Sequence, residues 1–288
     1  MQVAALASEI EQHLAATRVV SSQEPSGATL AIPGHSPVSS PDQKFRANGY
    51  EESATLVLSY LIGKLRPKIF FDIGAASGHF ARVAASHTVA PPIVHAFEMQ
   101  PNHVASMSER VARDGLGDRV HVHLAGLSDR HEGERDIWFA RTKMFEHEPE
   151  KHEYQEAWWL RLKFLLRRRY RGPVKARVLL TSIDQFVADH GAVPGLLKID
   201  VDGYEGKVLR GGLQTFAAHK PPIMLELHKD AMIRFGETRR DVAGLLFGAG
   251  YKALFLTDHH DRQACRVVPV GPDDPLIVRQ ETDFILFW

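Results

Sequence analysis

A single cysteine, Cys265, among 288 residues excludes an internal disulfide framework and fits a reducing compartment. As a lone thiol it reads as a bystander. No apolar run approaches the roughly 20 residues that span a bilayer, so no integral membrane segment is expected. Neither sign of charge is in excess. Lys+Arg and Asp+Glu both number 35, which removes any bulk electrostatic case for nucleic acid as a partner. The opening stretch Met1 to Glu9 has no basic segment and meets acid early, so no secretory signal is expected and a cytoplasmic location is the expectation. Internal repeats are absent. Two nucleotide-binding signatures are absent as well. In G-x-G-x-x-G, Ala76 and His79 stand where the second and third glycines belong, and G-x-x-x-x-G-K-[ST] does not occur.

What is present centres on Lys68-Ile69-Phe70-Phe71-Asp72-Ile73-Gly74-Ala75-Ala76-Ser77-Gly78-His79-Phe80. An apolar run meets an acid, then two glycines, then a helical stretch. This is the strand–turn–helix that opens a nucleotide-binding α/β domain. Glycine at 74 and 78 lets backbone approach a ligand where a Cβ would clash. A second apolar run, Ile93 to Phe97, ends in Glu98. A carboxylate at the end of strand two offers two acceptor oxygens to the two hydroxyls of a ribose.

Helical spacing predicts helices over 2–18, 48–65, 79–87, 102–113, 205–218 and 237–249, and one starting at Thr181-Ser182 with either residue as cap. Residues 21–41, rich in Ser, Pro and Gly, read as a linker or surface loop. Strands are expected at 69–71, 93–97, 120–124, 196–200, 222–228, 251–256 and 283–288, with a further short one at 137–139. Ala125 to Asp129 reads as a small-residue turn where an adenine ring could lie. The fold class expected is α/β: a seven-stranded, mostly parallel sheet with helices on both faces and an antiparallel edge. Residues 1–47 form an N-terminal helical extension and linker, and 48–288 the main domain. Segment 141–177 interrupts it, acidic first and basic later around Trp158-Trp159-Leu160-Arg161-Leu162-Lys163-Phe164-Leu165-Leu166. An amphipathic helix packed on the domain and a lid are the leading readings of this segment. A homodimer contact and a membrane-surface helix follow.

The string Leu197-Lys198-Ile199-Asp200-Val201-Asp202-Gly203-Tyr204-Glu205-Gly206, with Thr181-Ser182-Ile183-Asp184 before it and Met224-Leu225-Glu226-Leu227-His228 after it, closely resembles the FkbM family of methyltransferases. The departures are Asp202 in place of glutamate, Ala76 where asparagine is common, and the 141–177 insertion. The resemblance implies a Rossmann-like domain that binds S-adenosyl-L-methionine and methylates a small-molecule or glycan acceptor, commonly at a hydroxyl of a sugar or natural-product scaffold. It assigns Asp72, Gly74 and Gly78 to the methionine moiety, Glu98 to the ribose and the 125–128 turn to the adenine, with Ala75, Phe80, Met99, Gly126 and Leu127 also among the cofactor-binding residues. Asp200 belongs to the same crevice. An alcohol acceptor must lose a proton, so a base helps. His228 is the first candidate and Asp200 the second, as base or orienter. For His228 the plain alternative is a surface or cap histidine. For Asp200 and Glu205 it is a helix cap and first-turn acid, and for Glu226 a buried structural acid. Metal independence is expected, because acids at 200 and 202 on one strand would point to opposite faces. Metal-dependent transfer, N-methylation and a SAM-fold protein without catalysis are the alternatives.

Overall fold

The computed structural model describes residues 3–17, 19–24, 27–39, 51–140, 143–145, 147–150, 173–228, 232–259, 263–278 and 283–288. The centre of the sheet is β4 (Ile69–Ile73). It pairs in parallel with β5 (Ile93–Glu98) on one side and β10 (Leu196–Ile199) on the other. β6 (Val120–Leu127) and then β9 (Val174–Thr181) extend the parallel set beyond β5, and β11 (Ile223–Leu227) extends it beyond β10. Antiparallel strands finish both sides. β14 (Asp283–Phe287) lies between β11 and β12 (Ala253–Thr257), and β13 (Arg266–Val270) closes that edge. β7 (Gly133–Ala140) and β8 (Lys143–Phe145) close the other. The sheet therefore has 11 strands around the expected parallel core. β8, β9 and β13 were not anticipated, and β8 and β9 take in residues 143–145 and 174–177 of the expected insertion. The amphipathic stretch 158–166 lies outside the described residues.

Strand pleating sorts the core into two layers. Phe70, Val94 and Leu196 face one, while Phe71, Phe97 and Leu197 face the other. The first layer carries α1 (Val3–Ala16), α2 (Glu52–Leu65) and α3 (His79–Ala85). Within 21–41, read as a linker, the described residues contribute to a three-stranded sheet of β1 (Val20–Glu24), β2 (Gly27–Ala31) and β3 (Val38–Ser39). Buried Leu30, Ile32 and Val38 tie it to the core. The Arg82 guanidinium binds Ser39 O at 2.8 Å and Asp114 at 2.6 Å.

The second layer holds α5 (Ile183–His190), α6 (Glu205–Arg210), α7 (Leu213–His219) and α8 (Arg239–Gly248). Ser182 caps α5, accepting from Gln185 N–H at 3.1 Å. One helix was expected over 205–218. It breaks at Gly211-Gly212, where a Cβ on Gly211 would lie 1.9 Å from Ser128 O. Rings pack between this layer and the sheet: Phe71, Phe97 and Phe186 meet edge to face, and His95 and His123 stack at 5.2 Å. His95 Nδ1 and His123 Nε2 are 3.0 Å apart. Burial, reinforced by neighbouring histidines, lowers both to a pKa of about 4.

Chain order runs outward from β4 through β5 and β6, then returns to β10 on the opposite flank. The reversal lies between β4 and β10. Open α/β sheets bind ligands beyond the carboxyl ends of their strands at such a point.

Candidate active site

The turn after β4 is shaped by backbone. Gly74 and Ala75 donate their N–H groups to Phe97 O at 3.0 Å each. Gly74 has φ +77° and Gly78 φ +75°. A Cβ at Gly74 would sit 1.7 Å from the Asp200 carbonyl, and one at Gly78 would sit 2.5 Å from Met107 Cγ. Glycine at these positions answers both conformation and close approach. Asp72 is fully buried. One carboxylate oxygen accepts from Ala81 N–H at 2.9 Å; the other has no hydrogen-bond donor.

Glu98 stands at the end of β5, as expected. Its oxygens accept from Ala76 N–H and Gln100 N–H, both at 2.8 Å. Burial works against its charge, but His103 and these two amides outweigh it and the carboxyl lies below its usual range. Oε2 also faces His103 Nδ1 at 3.8 Å, so Oε1 has the more open lone pair. Met99 packs on Gly126, where a Cβ would lie 2.5 Å from Met99 Sδ. Residues 125–127 are the last part of β6 rather than a turn, because they pair with Leu179 to Thr181 of β9. Phe80 is buried, and the Lys198 ammonium lies 4.9 Å from its ring centroid.

Across the crevice the site is made of charge. β10 ends at Ile199, so Asp200 and Asp202 lie beyond the strand and its alternation does not apply to them. Asp202 has φ +49°, a left-handed conformation that a short polar side chain tolerates better than most. Both acids reach the same imidazole: His228 Nε2 is 3.5 Å from Asp200 Oδ1 and 3.3 Å from Asp202 Oδ1. Glu226 Oε1 lies 4.0 Å from the same nitrogen. Lys198, a lone lysine in an apolar strand, is fully buried beneath them. Its ammonium donates to Asp200 Oδ2 at 2.8 Å and lies 3.8 Å from Asp72 Oδ1.

These contacts set the charges. Burial raises Asp72 to about 6 even with Lys198 beside it. Burial opposes the charge on Lys198 too, but Asp200, Asp72 and Glu226 raise its pKa overall. Asp200 is held below the carboxylate range because Lys198 and His228 overcome its burial. Glu226 is pushed well up by burial and by the neighbouring Asp200 charge, so it carries a proton at neutral pH. His79 is not part of the open site: it bonds Thr55 Oγ1 at 2.7 Å, and burial lowers it to about 3.

The residues from 72 to 253 match the model of the methyltransferase FkbM domain. The chain belongs to the FkbM methyltransferase family. S-adenosyl-L-methionine is the cofactor of this family and of this chain. Similar solved structures include an FkbM methyltransferase of Methylobacillus flagellatus (13% identity, 77% of this chain, 44% of that one, TM-score 0.43). An O-methyltransferase of Bacillus cereus in complex with S-adenosylhomocysteine is alike at 13% identity, 82% of this chain, 79% of that one, and TM-score 0.42. An S-adenosylhomocysteine-bound methyltransferase of Podospora anserina follows at 12%, 82%, 78% and 0.41. No curated protein matches the chain in sequence. These structural likenesses are remote, and the family match alone carries the assignment.

The FkbM chain's crevice suits its cofactor. Glu98 offers carboxylate oxygens at the end of β5, and buried Asp72 and half-buried Asp200 flank the Lys198 ammonium across the crevice. Asp200, Glu226 and His228 also place one ligand atom each within 4.8 Å of one another. The Lys198 ammonium already bonds Asp200 there, so a second cation would meet repulsion at close range. Among the described residues, no helix is long and apolar enough to cross a membrane.

Proposed function

We propose that this FkbM methyltransferase methylates a hydroxyl oxygen on a sugar or natural-product scaffold, without a metal ion, with His228 as base and Asp200 as orienter. The observation that carries this reading is the setting of His228 Nε2. It lies next to Asp200, which Lys198 links to the methionine turn, and next to Asp202, whose side chain is 93% exposed. A hydroxyl placed there meets a proton acceptor and a fixed carboxylate at once.

S-adenosyl-L-methionine supplies an electrophilic methyl group. Asp200, ionised and held by Lys198, would fix the acceptor through a neighbouring donor group, which leaves the reacting hydroxyl's one proton for His228 Nε2. Nε2 would take that proton as the oxygen turns on the methyl group that bound cofactor would supply. Holding oxygen and methyl in contact in a dry site accounts for much of the acceleration. Base assistance is worth about 10²–10⁴-fold. The carboxylate-rich surroundings disfavour an anionic acceptor. Just past Asp202 in sequence, the Tyr204 ring meets that of Phe235 at 4.2 Å with the Lys207 ammonium 4.9 and 5.9 Å from the two centroids, and Ile233 is 67% exposed on the same turn as Phe235. Rings and an exposed aliphatic side chain so close to the crevice suit a scaffold more than a free polyol.

Labelled S-adenosylmethionine offered with a panel of glycans and polyketides tests the reading. Label on a hydroxyl oxygen, lost in His228→Ala, is the expected result. Label found only on nitrogen or carbon overturns it.

A further inference from the structure

The carboxyl groups around His228 are unequal. Glu205, the first residue of α6, is fully buried and accepts from His228 Nδ1 at 2.8 Å. The same oxygen accepts from Gly203 N–H at 3.1 Å, and the other is buried without a donor. The contacts to Nε2 are longer: Asp202 at 3.3 Å and Asp200 at 3.5 Å from the loop after β10, and Glu226 at 4.0 Å from β11. Among the described residues Lys198 of β10 also lies nearby, bound to Asp200 and facing Asp72, and the charge of Glu51 acts on Glu226. One ring nitrogen is thus held by a short bond inside the protein, and the other turns to the open side.

We propose that Glu205 is the positioning residue for His228: it keeps the proton on Nδ1, so that the Nε2 lone pair meets the acceptor hydroxyl. The proposal rests on the reading of His228 as base. A neutral imidazole has one donor and one acceptor nitrogen, and the bond made by one decides the role of the other. With Nδ1–H given to Glu205, Nε2 is the acceptor. When the hydroxyl proton arrives, the resulting imidazolium stands against a buried carboxylate that gains a charged partner. Burial opposes the charged form of His228, but Glu205, Asp200 and Asp202 outweigh it and its pKa rises above the ordinary value.

Nitrogen-15 NMR of the histidine-labelled full chain tests this without any substrate. Neutral His228 carrying its proton on Nδ1 is the expected result; a resting Nε2–H form overturns the proposal. Glu205→Gln adds a second readout. Removing the buried charge lowers the His228 pKa, so the acid limb of the kcat/KM profile should move to lower pH. The plateau should fall about 10²-fold, within the range for losing a well-oriented base. Cofactor affinity by calorimetry should stay within about twofold, a change of roughly 0.4 kcal/mol. A lower plateau with an unmoved limb would mean that Glu205 is only structural and would overturn the proposal. If Glu205→Gln does not fold, the wild-type tautomer still decides. His228→Ala at the wild-type rate would sink the base reading itself, whereas a wrong tautomer in an active enzyme sinks the role of Glu205 alone.

Discussion

The two sides of the crevice are built on different principles. Beyond β4 and β5 the shape comes from backbone: glycines with positive φ, amides turned onto Phe97 O, and one carboxylate, Glu98, pinned by two N–H groups. Beyond β10 and β11 it comes from side chains, with Asp200, Asp202, Glu205, Glu226, Lys198 and His228 in mutual contact. A backbone site is rigid, insensitive to pH and easily ruined by one methyl group. A side-chain site tolerates substitution structurally but changes its chemistry with each proton. A cofactor of fixed shape suits the first, and a reaction that moves a proton suits the second.

The sharpest way to break this contrast is Gly74→Ala. The new Cβ would overlap the Asp200 carbonyl in a conformation that disfavours L-residues. The expected loss is about 3 kcal/mol or more, with loss of cofactor binding. Thermal unfolding near the wild-type midpoint would show that the turn is not rigid. His228→Ala should do the reverse. Activity should fall about 10²–10⁴-fold with cofactor affinity and unfolding temperature near wild type. A large drop in stability would mean that the side-chain half is structural too.

Glu98→Ala mixes both effects. It removes the ribose acceptor and orphans two amides, so cofactor affinity should weaken about tenfold or more, since hydrogen bonds to a charged group are worth about 1.5–3 kcal/mol. Unchanged affinity by calorimetry would remove its ribose role. A smaller effect separates the pH response of the site from that of the core. His35, His95 and His123 titrate near 4 and His79 near 3, all lowered first by burial. A depressed histidine contributes stability that is present above its unfolded pKa of about 6.5 and lost as pH falls through the folded value. Asp72, raised to about 6, works oppositely: its contribution is lost as pH rises toward that value. Glu226 and His228, also raised, act with Asp72; the four lowered histidines pull the other way, and their share is a drop in unfolding temperature between pH 6.5 and about 4. His123→Phe should flatten part of that drop; an unchanged slope would exclude the His95–His123 pair as its source. The smallest expected effect is none: EDTA should leave activity as it is, and magnesium-restored activity would replace Lys198 as the source of positive charge by a metal.

The legible parts of the fold were those where one residue type has one use. A buried strand running into Asp72 and two glycines, an acid closing the next strand, and apolar strands in β-α order located the sheet and its crevice. Less legible were features created by contact between distant segments. Glu205 looks like a first-turn helix acid until β11 brings His228 beside it. Lys198 was quoted only as part of a motif, although a lone lysine in an apolar strand demands buried counter-charges. Polarity hid the β1–β3 sheet: in a Ser- and Pro-rich stretch, Leu30, Ile32 and Val38 are the described residues that face the core. Pairing with β9 lengthened β6 through Gly126, which no local pattern could announce. The break at Gly211 follows from the pressure of Ser128 O, a residue more than eighty positions away in sequence.

The exposed rim has a practical consequence. Ile233 and Phe235 are exposed and lie outside the contacts that join Asp72, Lys198, Asp200, His228 and Glu205. Libraries randomised at 233 and 235 would therefore vary which scaffold docks while leaving the groups that touch His228 unchanged. Recombination between relatives with a breakpoint between 74 and 198 would split the Asp72–Lys198–Asp200 chain and yield inactive hybrids. For an engineer, specificity is written on the rim, and the interior is best moved as one block.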